Sequence, residues 1–309
     1  MPLLKRVRVL AAKIESSSGT AIAVDATDAD YNVFDAMIQP NIEYIPRPSQ
    51  GSFGHLPGTI GPLIGTATFK TELTGSGTPN TAPQWALTLL PACGWSHSGG
   101  SFTPLAEAVG TNIKTVTIAL YENGLRKSIR GASGNFTITI EPGKPITFEW
   151  TFQGAWVAPT DTTILAPTYP TNKPLRAASN TFTIGSPAWT PCFQSMKIES
   201  GNTVIARECA TAAGGISSFI ITDRVVTGSF NPESDLVATK DSHGLWIANT
   251  QEAFSYAVTD GVDTITFAGP KFERTNIQGS ERNGIQTDEI TFKFGKSAEA
   301  GNDEFTIDF

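Results

Sequence analysis

Apolar and polar positions alternate with period two through residues 115–156. Val116, Ile118 and Leu120 are separated by smaller or polar residues, and Glu122-Asn123-Gly124 supplies a turn. Phe136, Ile138 and Ile140 alternate with threonines, Pro142-Gly143 breaks the run, and Ile146, Phe148, Trp150 and Phe152 carry a third strand. Successive strand side chains point to opposite faces, so this pattern predicts an antiparallel meander with one apolar face and one threonine-rich face. A related pattern recurs near the C-terminus. Ile265 and Phe267 begin a strand, residues 279–284 interrupt it, and Ile290, Phe292 and Phe294 alternate again. In each stretch a glycine-bearing interruption separates first strand from last, which sets residues 130–135 opposite residues 279–284.

The rest of the chain reads in the same terms. Val7 and Val9 alternate with Arg6 and Arg8, and Ile14 follows, which predicts a short edge strand. Residues 38–64 are rich in proline and glycine. Ile42, Tyr44 and Ile45 suit a short strand at the start, and prolines, which lack a ladder donor, predict a long extended loop over 39–64. Loops of that length are usually functional or disordered, and Phe53, Leu56, Ile60 and Leu63 predict one that lies on something. Ala67, Phe69, Thr71 and Leu73 mark a strand. Residues 82–90 predict a helix, with Pro83 in its first turn, Pro91 and Gly94 at its end, and Trp85 and Leu89 toward the sheets. A proline- and threonine-rich crossover over 158–191 separates two halves. A second helix is predicted within 246–260 from Ala253, Phe254, Ala257 and Val258, with Gly261 as its stop. Met196-Lys197-Ile198-Glu199-Ser200 in the second half echoes Ala12-Lys13-Ile14-Glu15-Ser16 in the first. One order in both halves predicts an internal duplication: a mainly β chain of two tandem β domains, 1–176 and 177–309, each with one short flanking helix.

Composition narrows the function. Charged residues make up 17% of the 309 positions, which suits strands and turns whose surface is largely covered by other subunits. The net charge of −7 is uneven: 13 Lys/Arg face 12 Asp/Glu up to Ala178, and 9 face 17 afterwards. A protein that grips nucleic acid carries a basic excess to neutralise phosphates, and this one does not. No apolar run reaches the length of a membrane span, and the N-terminal segment is too short and polar for a secretory signal. Cys93, Cys192 and Cys209 are widely spaced and odd in number, which predicts free buried thiols rather than a disulfide framework or zinc site.

No catalytic constellation emerges. His55, His97 and His243 fall in predicted loops without a paired ligand, Ser96-His97-Ser98 has no nucleophile elbow around it, and no phosphate-binding glycine loop follows a strand. Asp288-Glu289 and Asp303-Glu304 are neighbours whose side chains diverge on a strand, so neither makes an acid/base pair. The expectation is a protein without catalytic, metal or cofactor residues. Trp95, Trp156, Trp189 and Trp246 leave a rival reading, a β-sandwich adhesin or decoration protein that stacks surface glycans on exposed rings.

A family resemblance joins these features. Leu89-Leu90-Pro91-Ala92-Cys93-Gly94 at the helix end, Leu120-Tyr121-Glu122-Asn123-Gly124, Gly131-Ala132-Ser133-Gly134-Asn135-Phe136, Pro145 to Gly154, Ile221-Thr222-Asp223-Arg224, Ser229-Phe230-Asn231-Pro232-Glu233 and Asn302-Asp303-Glu304-Phe305 together resemble the major tail tube proteins of long-tailed (siphovirus-type) bacteriophages. The resemblance implies tail-tube-type β-sandwich or half-barrel domains whose strands pair between subunits into a continuous inner barrel. It implies self-association into trimeric pseudo-hexameric rings, with hexameric rings as the alternative, stacked into a hollow tube of the virion. It also implies synthesis in the host cytoplasm and, as partners, a tape-measure protein, tail terminator and distal tail proteins. Double-stranded DNA would pass through during genome ejection without specific binding. On that reading Phe53, Leu56, Ile60 and Leu63, with the N-terminal arm, are candidates for contacts between rings. Glu141, Glu149, Asp263, Glu273, Asp288 and Glu289 are candidates to face the lumen, where acidic groups repel phosphates.

Overall fold

Alternating side chains build one large antiparallel sheet with a small two-stranded sheet beside it. The computed structural model describes residues 6–51, 53–105 and 113–309. In chain order these form β1 (Arg8–Ile14), β2 (Phe34–Pro48), β3 (His55–Glu72), α1 (Gln84–Ala92), β4 (Trp95–Ser98), β5 (Ser101–Pro104), β6 (Val116–Glu122), β7 (Leu125–Ile140) and β8 (Thr147–Asp161). There follow β9 (Thr181–Ile184), β10 (Phe193–Glu199), β11 (Asn202–Glu208), β12 (Ile216–Arg224), β13 (Thr227–Pro232), α2 (Ser242–Ile247), β14 (Glu252–Thr259), β15 (Thr264–Arg282), β16 (Ile285–Gly295) and β17 (Thr306–Asp308). The chain is mainly β.

The predicted meander is β6, β7 and β8. Asn123 and Gly124 both take positive φ, 46° and 103°, as the tight turn between β6 and β7 requires. Val116, Ile118, Leu120, Phe136, Ile138, Ile140, Phe148, Trp150 and Phe152 are all buried. Helix α1 lays Trp85, Leu89 and Ala92 onto this face, with the Trp85 ring 5.1 Å from Phe148 and 6.1 Å from Trp150. One contiguous core runs from Leu10 in β1 to Phe309 at the C-terminus.

The large sheet follows the path β2-β3-β8-β7-β10-β13-β16-β15-β17-β5-β4, and β10 joins the halves by lying between β7 and β13. Two runs of six strands within it share one pairing order. The first is β1-β6-β7-β8-β3-β2 and the second is β9-β14-β15-β16-β13-β10. Each has its helix between the corresponding strands, α1 after β3 and α2 after β13.

Four expectations need correction. Residues 39–64 do not form a loop; they lie in a long hairpin of β2 and β3. The prolines fit because, among the described residues, β2 has no strand on its outer side and β3 pairs with β8 only from Ile64 to Glu72, so Pro40, Pro46, Pro48, Pro57 and Pro62 all sit where one ladder is absent. The helix within 246–260 is instead α2 at 242–247 followed by β14, whose Phe254, Tyr256 and Val258 alternate into the core. Residues 130–135 lie inside β7 at a bulge, with Gly131 at φ 57° and Glu15 accepting its N–H at 2.7 Å, whereas residues 279–284 form the end of β15 and the following turn. Finally, the two Lys-Ile-Glu-Ser-like segments occupy different places: the first is β1, paired with β6, and the second is β10, paired with β7 and β13.

Candidate functional site

Residues directly opposite one another in an antiparallel pair project from the same face. Register therefore defines the polar face of the sheet row by row. One row is Lys70, Glu149, Thr137, Glu199, Thr227, Lys293 and Glu273, crossing seven strands from β3 to β15. The next holds Glu72, Thr147, Thr139, Lys197, Ser229, Thr291 and Asn276. A third begins Met37, Thr68, Thr151 and Asn135. Threonine recurs in every row, and lysines and carboxylates are interspersed among the hydroxyls. Glu149 holds Lys70 at 2.5 Å and Glu273 holds Lys293 at 2.9 Å. The hydrogen bond to Glu149 pushes the Lys70 ammonium above its ordinary value, and burial pushes the Glu72 carboxyl up. Lys70 and Lys293 are paired to carboxylates, Lys197 stands beside them as an exposed cation, and with Glu72, Glu149, Glu199 and Glu273 in the same rows this face has no basic excess with which to hold a polyanion.

The acidic candidates fall in different places. Glu149 and Glu289 project from the polar face, Glu289 exposed opposite Gln278. Glu273 shares that face but is sheltered between Lys293 and the Gln251 amide, which donates at 2.6 Å. Glu141 follows β7 directly and pairs with Lys144. Asp288 lies opposite Gly279 on the other face of its hairpin from Glu289. Asp263 is buried in the turn between β14 and β15, where its carboxylate accepts the Gly77 N–H at 2.8 Å, so it has no open face to present. Sequence reasoning missed Lys70, Lys197, Glu199 and Lys293, because their common row is set by pairings between strands far apart in the chain.

The second feature is the β2–β3 hairpin beyond its contact with β8. Phe53 at the tip is fully exposed, and Tyr44 and Ile60, an opposed pair, are each 63% exposed. Leu56 and Ile45 are exposed as well, while Leu63 packs over Gly214 beside β12. Gly58 donates its N–H to the Tyr44 hydroxyl at 3.0 Å, which fixes the ring along the hairpin. Single exposed apolar side chains are ordinary; here five are concentrated on one hairpin. Phe34 and Met37 continue the apolar exposure along the open edge of β2. Of the N-terminal arm, residues 1–5 lie outside the described residues.

Other chemistry is scattered. Trp95 and Trp189 are buried and Trp156 and Trp246 half-buried, so none of these four indoles is presented as an open face. His97 packs on Phe102 at 4.9 Å. Cys93 is buried, and burial pushes its thiol well up, but Cys192 is exposed and Cys209 half-buried, against the expectation of three buried thiols. Among the described residues no three His, Cys, Asp or Glu side chains are grouped to hold a metal, and no helix is long and apolar enough to cross a membrane.

No curated protein matches the chain. A family model described as phage tail tube protein matches residues 6–295, nearly the whole length and every strand that builds the polar rows. That match covers well over half of the chain and agrees with its mainly β sheet: the chain belongs to the phage tail tube protein family.

Proposed function

We propose that copies of this chain polymerise into stacked rings whose polar sheet faces line a hollow tail tube, the conduit for DNA during genome ejection. The observation that carries this reading is the open border of the large sheet: β2 has a strand on one side only and continues into a hairpin with exposed Phe53, Tyr44, Ile60 and Leu56. An exposed, apolar strand border is an aggregation hazard unless a defined partner covers it, and in a tube the partner is another copy. The two six-strand runs support a fused pair of tail-tube domains, 1–176 and 177–309, so that three chains make a pseudo-sixfold ring. The tape-measure protein would occupy the bore before DNA, with terminator and distal proteins at the ends.

The threonine-rich rows suit such a bore. DNA passes because phosphates meet neutral hydroxyls and lysines outnumbered by carboxylates, with Lys70 and Lys293 already paired and the exposed Glu199 and Glu289 adding repulsion. The hairpin tip joins successive rings, burying apolar area at about 25 cal/mol per Å². Sedimentation of the Phe53→Ser/Leu56→Ser double variant tests this: it should fold as the parent does and remain as short oligomers. Polymers of unchanged length would remove the hairpin from the contact between rings.

A further inference from the structure

The two halves of the chain meet at an intrachain strand joint. In that joint β10, the last strand of the second six-strand run, lies antiparallel on the far part of β7: Met196 opposite Ile140, Lys197 opposite Thr139, Ile198 opposite Ile138 and Glu199 opposite Thr137. Space for it exists because β6 pairs with β7 only as far as Ala132. The counterpart of β7 is β15, and it has the same vacancy. Its pairing with β14 ends at Phe272, and from there to Arg282 it has β16 alone beside it. The counterpart of β10 is β2, which among the described residues pairs only with β3.

We propose that residues 36–39 of β2 in one copy add to residues 278–281 of β15 in a second copy, in the register that β10 takes on β7. The proposal rests on the self-assembly reading above and specifies its lateral contact. The register transfers through shared landmarks. Thr139 pairs with Thr147, which pairs with Glu72; Ser280 pairs with Thr287, which bridges to Glu233. Thr68, four residues before Glu72, pairs with Met37, and Ser229, four before Glu233, pairs with Lys197. Met37 therefore falls opposite Ser280, as Lys197 does opposite Thr139. The same transfer sets Ile38 opposite Gly279 and Gln39 opposite Gln278. Burial obeys the correspondence: Ala36 and Ile38 are buried on their own sheet, as are Met196 and Ile198.

Two side-chain observations point to the same edge. In the intrachain joint the Asn135 side chain clamps the arriving strand, accepting from Asn202 N–H at 2.6 Å and Ser200 Oγ–H at 2.9 Å and donating to Asn202 O at 2.9 Å. Its counterpart, four residues before Ser280, is Asn276, whose side chain has no hydrogen-bond partner among the described residues. Phe34 and Met37 beside one open edge, and Ile285 beside the other, are exposed apolar side chains that the joint would cover. Pro40 stands where Ser200 stands and has no N–H, so the new pairing ends at Gln39. Main-chain hydrogen bonds supply the attraction and the paired side chains set the register.

The test is a cysteine pair, Met37→Cys with Ser280→Cys, in a Cys192→Ser/Cys209→Ser background. Oxidation of the assembled protein should give a ladder of disulfide-linked chains ending at the ring size, and neither single-cysteine variant should give it. Hydrogen exchange on the unaltered chain is the second readout, with residues 36–39 and 276–281 at least tenfold slower after assembly. Tubes that form without the ladder and without that protection overturn the joint while leaving self-assembly standing; a ladder from Met37→Cys with Arg282→Cys instead overturns the register. A parent chain that never assembles overturns both readings.

Discussion

Glu252 sits between Lys240 at 2.6 Å and Arg274 at 2.7 Å, with all three side chains largely withdrawn from water. Burial pushes its carboxyl up, but the Lys240 hydrogen bond and the Arg274 contact outweigh that and hold it below the ordinary value of 4.5. A carboxylate depressed in the folded state stabilises the fold above that ordinary value and loses its contribution as pH falls through the lowered one. Acid titration of thermal stability should therefore decline below about pH 4.5, and Glu252→Gln should remove part of the slope. That variant strands two buried cations and should cost about 3 kcal/mol at neutral pH in denaturant unfolding. Residues of this kind are illegible in sequence, since Glu252, Lys240 and Arg274 come from a strand start, a loop and a bulge. The core aromatics were legible, because Phe148, Trp150 and Phe152 alternate within one strand. Trp85→Ala should destabilise by about 3 kcal/mol or more, by loss of a fully packed ring.

Among the elements, strands whose pattern is local were readable and those defined by their neighbours were not. The meander announces itself through period two and the Asn123-Gly124 turn. The β2–β3 hairpin hides because its prolines argue against a strand until the missing neighbours on each outer side are known. Strand β14 mimics a helix because Ala253, Phe254, Ala257 and Val258 fit a 3.6-residue repeat as well as Phe254, Tyr256 and Val258 fit a two-residue one; the pairing with β15 and β9 decides. A further element, the β11–β12 hairpin, is held against β7 by Arg130, which donates to the carbonyls of Gly19, Ser217, Ala213 and Ile216. Arg130→Ala should speed amide exchange in β11 and β12 at least tenfold while leaving β7 and β8 protected, as read by mass spectrometry.

At the scale of the molecule, the sheet's polar face carries neither an acidic nor a basic surplus strong enough to define a site, and its borders matter more than any single residue. The order of strands across both halves came from long-range pairing that no window of sequence contains, although the approximate likeness of the halves did register in the shared strand–helix–meander order. Reversing charge on the face tests its role as a bore: Glu149→Lys/Glu199→Lys should make the assembled protein retain DNA at low salt, with binding that falls steeply as salt rises, whereas the parent should retain none in a filter assay. The most direct measurement of the central claim is negative-stain electron microscopy of the purified parent chain. Self-completion of the sheet predicts rings or hollow tubes of one constant width; particles that remain single chains at every protein concentration would contradict it.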